Sequence, residues 1–600
     1  MPNKIKKEYR NDYVHSPYQL NIFDNIQNGS GNLVIEASAG SGKSYTIVKS
    51  LELIPSDKSV LLTAFNKDIV LELGRKVTQY GNVTAMTMHS IGKSIIKRGL
   101  GFDPQLKEMK YIEHIKDNLK NYSPLYKNLP SKNRNKYYEN VRKYVDFGRY
   151  YLCENVGDLE FVESRYGIDT IGDEKEVSLK ILEWGKEHPE NIEFIDMIWL
   201  PNVLDFSEST PKYDYIMIDE CQDMNRAERS LVLKCRKKGT RVISVGDKNQ
   251  CLYTFSGADP DSFDALCSIP NTKKLPLSIS YRCGKNIIKL AQKIVPTIEE
   301  FDKNEDGEVV KGCSIEEVQN GDMVLCRNNA PLVLAYMEFL RMGKKAFIRG
   351  KDLGLRMKGY VQSMNTEELN FKTRKDGLEN RMYRDFLKDM YDFMNKYGFN
   401  EKEAIMNSAN LSSKLDMIMT IECLSEEVNT TAELIKKIDE IFKKDDGEGI
   451  ALSTIHKAKG LEADRVYILC EELMPAKSAV MDWERTQEKN LIYVAYTRAK
   501  KKLGFLKEDK FSKLNPYNEV SIEYIKMKEQ ICSQLYGMNL TVEVTKDNAR
   551  EIATIAKTYS RRDITSSPRS GNVKSLSDLT QTSTSTSMKS LFQNRRKRLK

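Results

Sequence analysis

The stretch Glu36-Ala37-Ser38-Ala39-Gly40-Ser41-Gly42-Lys43-Ser44 constrains this chain more than any other. It follows the apolar run Leu33-Val34-Ile35, which reads as a short buried strand. A turn built from small residues lets successive backbone N–H groups converge on phosphate oxygens before a helix begins at about Gly42. Lys43 would then reach the β- and γ-phosphates as a point charge, and the Ser44 hydroxyl would bind Mg²⁺. Where the pattern G-x-x-x-x-G-K-[ST] has its first glycine, Ala37 stands here. Alanine is tolerable there only if φ stays negative. The plainer reading, a Gly/Ser loop that caps a helix, accounts for this loop alone but not for the segments downstream.

A chain of 600 residues exceeds a single core, so several domains are expected, some inserted within others. The 94 basic and 85 acidic residues give a formal charge of +9. That excess matters where cations gather on one surface, because phosphate backbones reward clustered Lys and Arg. No run is apolar and long enough to span a bilayer, and MPNKIKKEYR lacks the apolar region of a signal peptide. The eleven cysteines include no C-x-x-C pair and there are five histidines, which argues against a disulfide framework or zinc ribbon. A cytoplasmic location is expected, nuclear in a eukaryote, without membrane association.

Short apolar runs alternate with amphipathic stretches at 33–35, 60–64 and 84–87, and again at 215–218 and 241–245, the rhythm of a parallel α/β sheet. A second such unit begins near 276, with strands expected at 323–326, 450–453 and 465–469. Each is interrupted by charged helical sequence. Within the first interruption, Tyr137, Val141, Tyr144 and Val145 recur at helical spacing. They form either a face that tracks a nucleic acid or, the favoured reading, an amphipathic helix facing its own core.

Two further segments carry chemistry. Tyr215-Ile216-Met217-Ile218 runs straight into Asp219-Glu220-Cys221-Gln222-Asp223. Asp219 at the strand's end can hold Mg²⁺ beside Ser44, and Glu220 can polarise an attacking water. After Val245-Gly246-Asp247, Gln250 suits a γ-phosphate or its water, and Tyr253 and Phe255 offer stacking faces to unpaired bases.

This last segment resembles motif III of superfamily 1A DNA helicases, the UvrD/Rep/PcrA family. The other motifs follow in order. Tyr18-Gln19 with Ile22-Phe23 is similar to the Q motif, Ala64-Phe65-Asn66-Lys67 to motif Ia, and Thr87-Met88-His89-Ser90 to the next strand-contacting motif. Asp219-Glu220-Cys221-Gln222-Asp223 resembles motif II and Leu277-Ser278-Ile279-Ser280-Tyr281-Arg282 motif IV. Thr454-Ile455-His456-Lys457-Ala458-Lys459-Gly460-Leu461-Glu462 resembles motif V, and Leu491-Ile492-Tyr493-Val494-Ala495-Tyr496-Thr497-Arg498-Ala499 motif VI. Phe255 stands where Trp is frequent, Ser280 where Asn is, and Asn490 where Arg is common. The segment Phe194–Pro201 is similar to one in the F-box helicase branch.

The resemblance implies an α/β fold of two RecA-like P-loop domains with parallel sheets, each carrying a helical insertion. The implied boundaries are 1–99 with 196–275 for the first core, 100–195 for its insertion, 276–350 with 448–556 for the second core, and 351–447 for its insertion. It implies ATP and Mg²⁺ as cofactors, with Gln19 and Tyr281 at the adenine, residues 37–44 and Glu462 around the nucleotide, and Ser44 and Asp219 at the metal. The resemblance further implies that Lys43, Asp219, Glu220, Gln250 and the arginine fingers Arg282 and Arg498 carry catalysis. It implies DNA contacts for Phe65, Asn66, Thr87, His89, Tyr253, Phe255, Thr454 and His456. The expected activity is 3′→5′ translocation on single-stranded DNA with unwinding at duplex junctions. The runner-up is a translocase that mainly displaces proteins from the strand. Residues 557–600, rich in Ser and Thr, are expected to be disordered. Their Arg595-Arg596-Lys597-Arg598 run reads as a nucleic-acid tether, a solvated end or a nuclear address. Leu591-Phe592 is either a partner-docking island or chance composition.

Overall fold

The computed structural model describes residues 15–64, 67–254, 257–365, 377–426, 428–442, 448–507 and 519–538. Phe65, Asn66, Phe255 and the whole 557–600 segment, Leu591 and Phe592 included, lie outside the described residues. The chain divides into two compact units. One comprises 1–311, 458–467 and 481–504, the other 312–457, 468–480 and 505–600.

The first unit opens with helix α1 (Pro17–Asn28), β1 (Asn32–Ala37), α2 (Lys43–Leu51), β2 (Val60–Ala64), α3 (Lys67–Val77), β3 (Val83–Thr87) and α4 (Met88–Leu100). A helical insertion follows: β4 (Gln105–Leu106), α5 (Lys110–Tyr122), α6 (Pro124–Asn128), α7 (Ser131–Tyr151), α8 (Val156–Tyr166), α9 (Glu174–Glu187) and β5 (Asn191–Ile192). The α/β rhythm returns with α10 (Asp196–Val203), β6 (Tyr213–Asp219), α11 (Arg226–Lys234), β7 (Arg236–Gly246), α12 (Ser262–Cys267) and β8 (Thr272–Leu277). Then come β9 (Ile279–Ser280), α13 (Lys285–Ala291), β10 (Glu299–Glu300) and β11 (Glu308–Cys313).

Six strands form one sheet in the order β3-β2-β6-β7-β1-β8, and every pairing within it is parallel. Successive residues of a strand serve opposite faces, and both faces are packed. Leu33 and Ile35 join one apolar cluster with Leu62, Met217 and Ile243, while Val34 joins another with Leu61, Ile216, Ile218 and Val242. Burial on both sides explains why these strands read as continuous apolar runs. Register then fixes the site. Ala37 pairs with Leu277, Glu36 with Gly246, and Ala64 with both Asp219 and Thr87, so the ends of all six strands share one edge.

The insertion packs on two apolar clusters, one of them shared with Ile96 of α4 and with Met197, Trp199 and Leu200 of α10. Tyr137, Val141, Tyr144 and Val145 of α7 are fully buried, which bears out the core-facing reading of that helix. The Arg149 guanidinium is also buried. It pairs with Asp146 at 2.7 Å, Glu193 at 2.9 Å and Asp196 at 3.1 Å, and lies over the Tyr111 ring. Arg149 thus ties α7 to the segment entering α10. Removing one partner of such a buried set typically costs about 3–5 kcal/mol.

The second unit contains β12 (Met323–Cys326), α14 (Asn329–Arg341), β13 (Ala346–Ile348), α15 (Lys351–Ser363), α16 (Leu378–Tyr397), α17 (Glu401–Met406), α18 (Ala409–Ser425), α19 (Thr431–Ile441) and β14 (Ile450–Thr454). Strands β12, β14 and β13 pair in parallel in that order. Helix α18 is buried around most of its circumference. Its Asp416 caps α14, accepting from Asn329 N at 3.0 Å, Ala330 N at 3.1 Å and Asn329 Nδ2 at 2.9 Å. The remaining elements are β15 (Ala463–Leu469), α20 (Asp482–Tyr496), β16 (Ala499–Leu506) and α21 (Glu519–Tyr536). Although α21 falls in the stretch assigned to the second core, it packs on α16, where Lys528 lies 3.6 Å from Glu379 and 3.4 Å from Glu422 of α18. Among the described residues, no helix is long and apolar enough to cross a membrane.

Candidate active site

At the shared edge, the loop after β1 turns through Gly40 at φ +73° and Gly42 at φ +82°, and α2 starts at Lys43. A side chain on Gly40 would be strained there, and its Cβ would stand 2.5 Å from Arg282 Cβ. Ala37 closes β1 and is absent from the positive-φ residues, so the alanine costs nothing at that position. Ser38 N–H donates to Leu277 O at 2.9 Å and Tyr281 N–H to Gly40 O at 2.9 Å, which fastens the loop to the segment after β8. Ala39 N–H donates to the Tyr493 hydroxyl at 2.9 Å. The Ser41 hydroxyl is buried beside the loop with no partner among the described residues, and phosphate oxygens could supply one. Gln19 is fully buried: its Oε1 accepts from Ser16 N and its Nε2 donates to Thr46 Oγ1 at 3.2 Å, next to Gly42.

Lys43 Nζ lies 2.7 Å from Glu220 Oε1. Burial opposes the charge on each, but their mutual attraction wins. Lys43 is held above the usual lysine range, and Glu220, with Lys459 adding to the effect, well below the usual carboxylate range. Glu220 sits at φ +52°, a left-handed conformation that costs a non-glycine residue about 1–2 kcal/mol. Gln222 Nε2 donates to Glu220 Oε2 at 2.5 Å and Gln222 Oε1 accepts from Asp247 N at 3.0 Å, so the ends of β6 and β7 are tied together. Asp219 is buried at the end of β6 and accepts from Glu220 N at 2.9 Å.

Gln250 links two sides of the site. Its Nε2 donates to Asp247 Oδ2 at 2.8 Å, and its Oε1 accepts from Arg498 Nη2 at 3.4 Å. Arg498 is buried and donates to the carbonyls of Val494 at 3.0 Å and Leu461 at 3.2 Å. Burial, with Arg282 nearby, pulls it down to about 10. Arg282 Nε pairs with Glu462 Oε2 at 2.7 Å, and Glu462 also meets Lys500 at 2.6 Å. The segments bearing Glu462 and Arg498 therefore belong to the same compact unit as the phosphate loop.

Lys459 and the Phe194 ring take part although the sequence reading gave neither a role. Lys459 pairs with the buried Asp223, donates to Gln250 O at 2.7 Å and lies over the Tyr253 ring. Burial raises the Asp223 carboxyl to about 6 despite Lys459. Asn490, where arginine is common in the family, donates to Lys248 O at 3.3 Å and Cys251 O at 3.1 Å and so keeps a link to the Gln250 turn. Phe194, 56% exposed, stacks on His89 with ring centroids 3.8 Å apart. Burial pushes His89 down to about 4. Thr87 caps α4, accepting from Ser90 N at 3.2 Å. In the second unit, Thr454 ends β14, and burial with Arg327 nearby pushes His456 down to about 3.

A parallel sheet that presents a small-residue loop, a lysine and paired carboxylates at one edge defines a phosphate-loop α/β protein. Residues 20–268 match the UvrD/REP helicase N-terminal domain and residues 355–510 the UvrD-like helicase C-terminal domain. The chain belongs to the UvrD/Rep/PcrA-like family of superfamily 1 helicases. F-box DNA helicase protein 1 of Schizosaccharomyces pombe is 28% identical over 331 residues, 51% of this chain and 35% of that one. ATP-dependent DNA helicase Rep of Buchnera aphidicola subsp. Baizongia pistaciae is 24% identical over 291 residues, 44% and 41% of the two chains. F-box DNA helicase 1 of Gallus gallus is 26% identical over 508 residues, 78% and 46%. The chain thus spans less than half the length of each of these relatives.

Proposed function

We propose that this protein is an ATP-driven motor that moves on single-stranded DNA and unwinds duplex DNA at junctions, 3′→5′ as its family likeness suggests. The observation that carries the reading is the continuous chain of contacts from Lys43 through Glu220, Gln222, Asp247 and Gln250 to Arg498. It joins the group that grips phosphate to the groups that would act on the γ-phosphate.

The backbone of 38–44 and Lys43 would bind the phosphates, with Ser44 and Asp219 holding Mg²⁺, which supplies neutralisation of phosphate charge. The arriving phosphates compete with Glu220 for Lys43. Once released from the lysine, the Glu220 carboxylate regains basicity and is free to orient the attacking water. Gln250 positions that water or the γ-phosphate. Arg282 and Arg498 stabilise charge that grows in the transition state, a contribution of roughly 10³–10⁵ in rate for arginine fingers. Exposed Phe194, backed by His89, would offer an aromatic face to unpaired bases.

The test is ATP hydrolysis measured with and without single-stranded DNA. Strand-stimulated turnover that vanishes in Lys43→Ala supports the reading, and turnover indifferent to DNA refutes it.

A further inference from the structure

Helix α20 carries Tyr493 to the phosphate loop and leads into Arg498, yet its first turn is anchored elsewhere. Trp483 Nε1–H donates to Arg165 O at 2.8 Å, and its ring lies 5.8 Å from that of Tyr166. Met481 Cε approaches Gly167 so closely that a Cβ there would stand 2.7 Å away. Arg165, Tyr166 and Gly167 are the last turn and C-cap of α8, in the helical insertion. The same turn holds the segment beyond Gln250, since the Tyr166 hydroxyl donates to Thr254 O at 3.3 Å and Arg165 meets Asp261 at 3.0 Å.

Fifteen helical residues span about 22 Å. A rigid helix bonded at both ends cannot shift at one without shifting or breaking a bond at the other. Midway along it, Asn490 bonds the carbonyls of Lys248 and Cys251, on either side of Gln250. Arg498 and Gln250 are thus held in register partly by where α20 begins. None of the helicase motifs includes Trp483.

We infer that Trp483 is a positioning residue for hydrolysis: by pinning the start of α20 to the insertion through the Arg165 carbonyl, it keeps Arg498 aligned with Gln250. The inference rests on the proposed ATP-driven function. A pin that sets transition-state geometry acts on kcat and leaves ATP affinity nearly untouched.

The experiment compares steady-state ATPase of the full chain with Trp483→Ala, Trp483→Phe and Arg165→Ala. Trp483→Ala should lower kcat at least tenfold with KM for ATP within twofold. Trp483→Phe, which keeps the ring and loses the donor, should recover part of that loss. Arg165→Ala retains the backbone acceptor but loses the ion pair to Asp261, so it should lower kcat less than Trp483→Ala does. In the wild type, a non-hydrolysable ATP analogue should shift tryptophan emission, and the shift should be lost in Trp483→Phe although Trp184 and Trp199 remain. Unchanged kcat in Trp483→Ala, or kcat and KM that worsen together, overturns the inference. If Trp483→Ala does not fold, a Trp483→Phe protein with wild-type kcat and an unchanged emission shift overturns it alone. A wild type that hydrolyses ATP without strand stimulation fails the functional reading instead, and the same comparison on basal turnover still decides the role of Trp483.

Discussion

Lys43 and Glu220 are latched to each other, Nζ to Oε1 at 2.7 Å, before any phosphate competes for the lysine. Each holds the other charged, and in the proposed mechanism the pair must open before the lysine meets phosphate and the carboxylate regains basicity. Glu220→Gln removes the competing anion and the base together. ATP should then bind at least as tightly as in the wild type while hydrolysis falls by two orders of magnitude or more. Equilibrium binding of a fluorescent nucleotide beside single-turnover hydrolysis measures both. Weakened binding with normal hydrolysis would be the contrary outcome.

Arg282 and Arg498 differ in how they are held. Arg282 is fixed by an ion pair to Glu462, whereas Arg498 is buried and spends its donors on the carbonyls of Val494 and Leu461, Thr497 Oγ1 and Gln250. A lysine keeps the charge but not the planar fork. Arg498→Lys should therefore be nearly as inactive as Arg498→Ala in kcat, with KM for ATP little changed. Arg282→Lys should retain more activity than Arg282→Ala. Full turnover at saturating ATP in either alanine variant would remove that arginine from the catalytic set.

Lys459 neutralises Asp223 in a setting that otherwise disfavours the carboxylate. Lys459→Met should destabilise the first unit by about 3–5 kcal/mol, because it leaves a buried charge unpaired. The double variant Lys459→Met/Asp223→Asn should recover most of that loss. Denaturant titration of the four proteins of this cycle gives the coupling, and additive losses would mean the pair contributes nothing.

His89 brings a pH dependence. Folding pushes it down to about 4, whereas the unfolded chain takes up a proton near the ordinary histidine value of about 6.5. Below that pH the unfolded state binds more protons, so stability falls as pH drops through 6.5 and the loss levels off below 4. On the order of 2 kcal/mol is at stake, after allowance for partial solvent access. His89→Gln should flatten the midpoint between pH 7 and pH 4.5. A parallel dependence in both proteins would assign the effect to other groups.

Strands buried on both faces were legible because their apolar runs have no competing period, as at 33–35, 215–218 and 241–245. Strand β8 was not: Thr272-Lys273-Lys274-Leu275-Pro276-Leu277 looks like a loop, since a sheet edge tolerates lysine and proline. The same logic divides the site. Lys43, Asp219 and Glu220 follow strands directly, so the rhythm of the sheet announces them. Lys459 and Tyr493 reach the site across more than 200 residues, to Asp223 and Ala39, through side-chain contacts that no local pattern encodes. The Arg149 cluster was hidden for another reason, because a charged residue on a Tyr- and Lys-rich helix reads as solvated until its partners are seen around it.

If hydrolysis at the Lys43–Glu220 site drives strand separation as proposed, strand displacement from a tailed duplex must depend on both residues. Duplexes with a 3′ or a 5′ single-stranded tail are incubated with ATP and Mg²⁺ and the wild type, Lys43→Ala or Glu220→Gln. The wild type should release the strand from the 3′-tailed duplex, with both variants inactive at concentrations that still bind the tail. Unwinding by Lys43→Ala, or wild-type ATP hydrolysis without release from either duplex, would contradict the account.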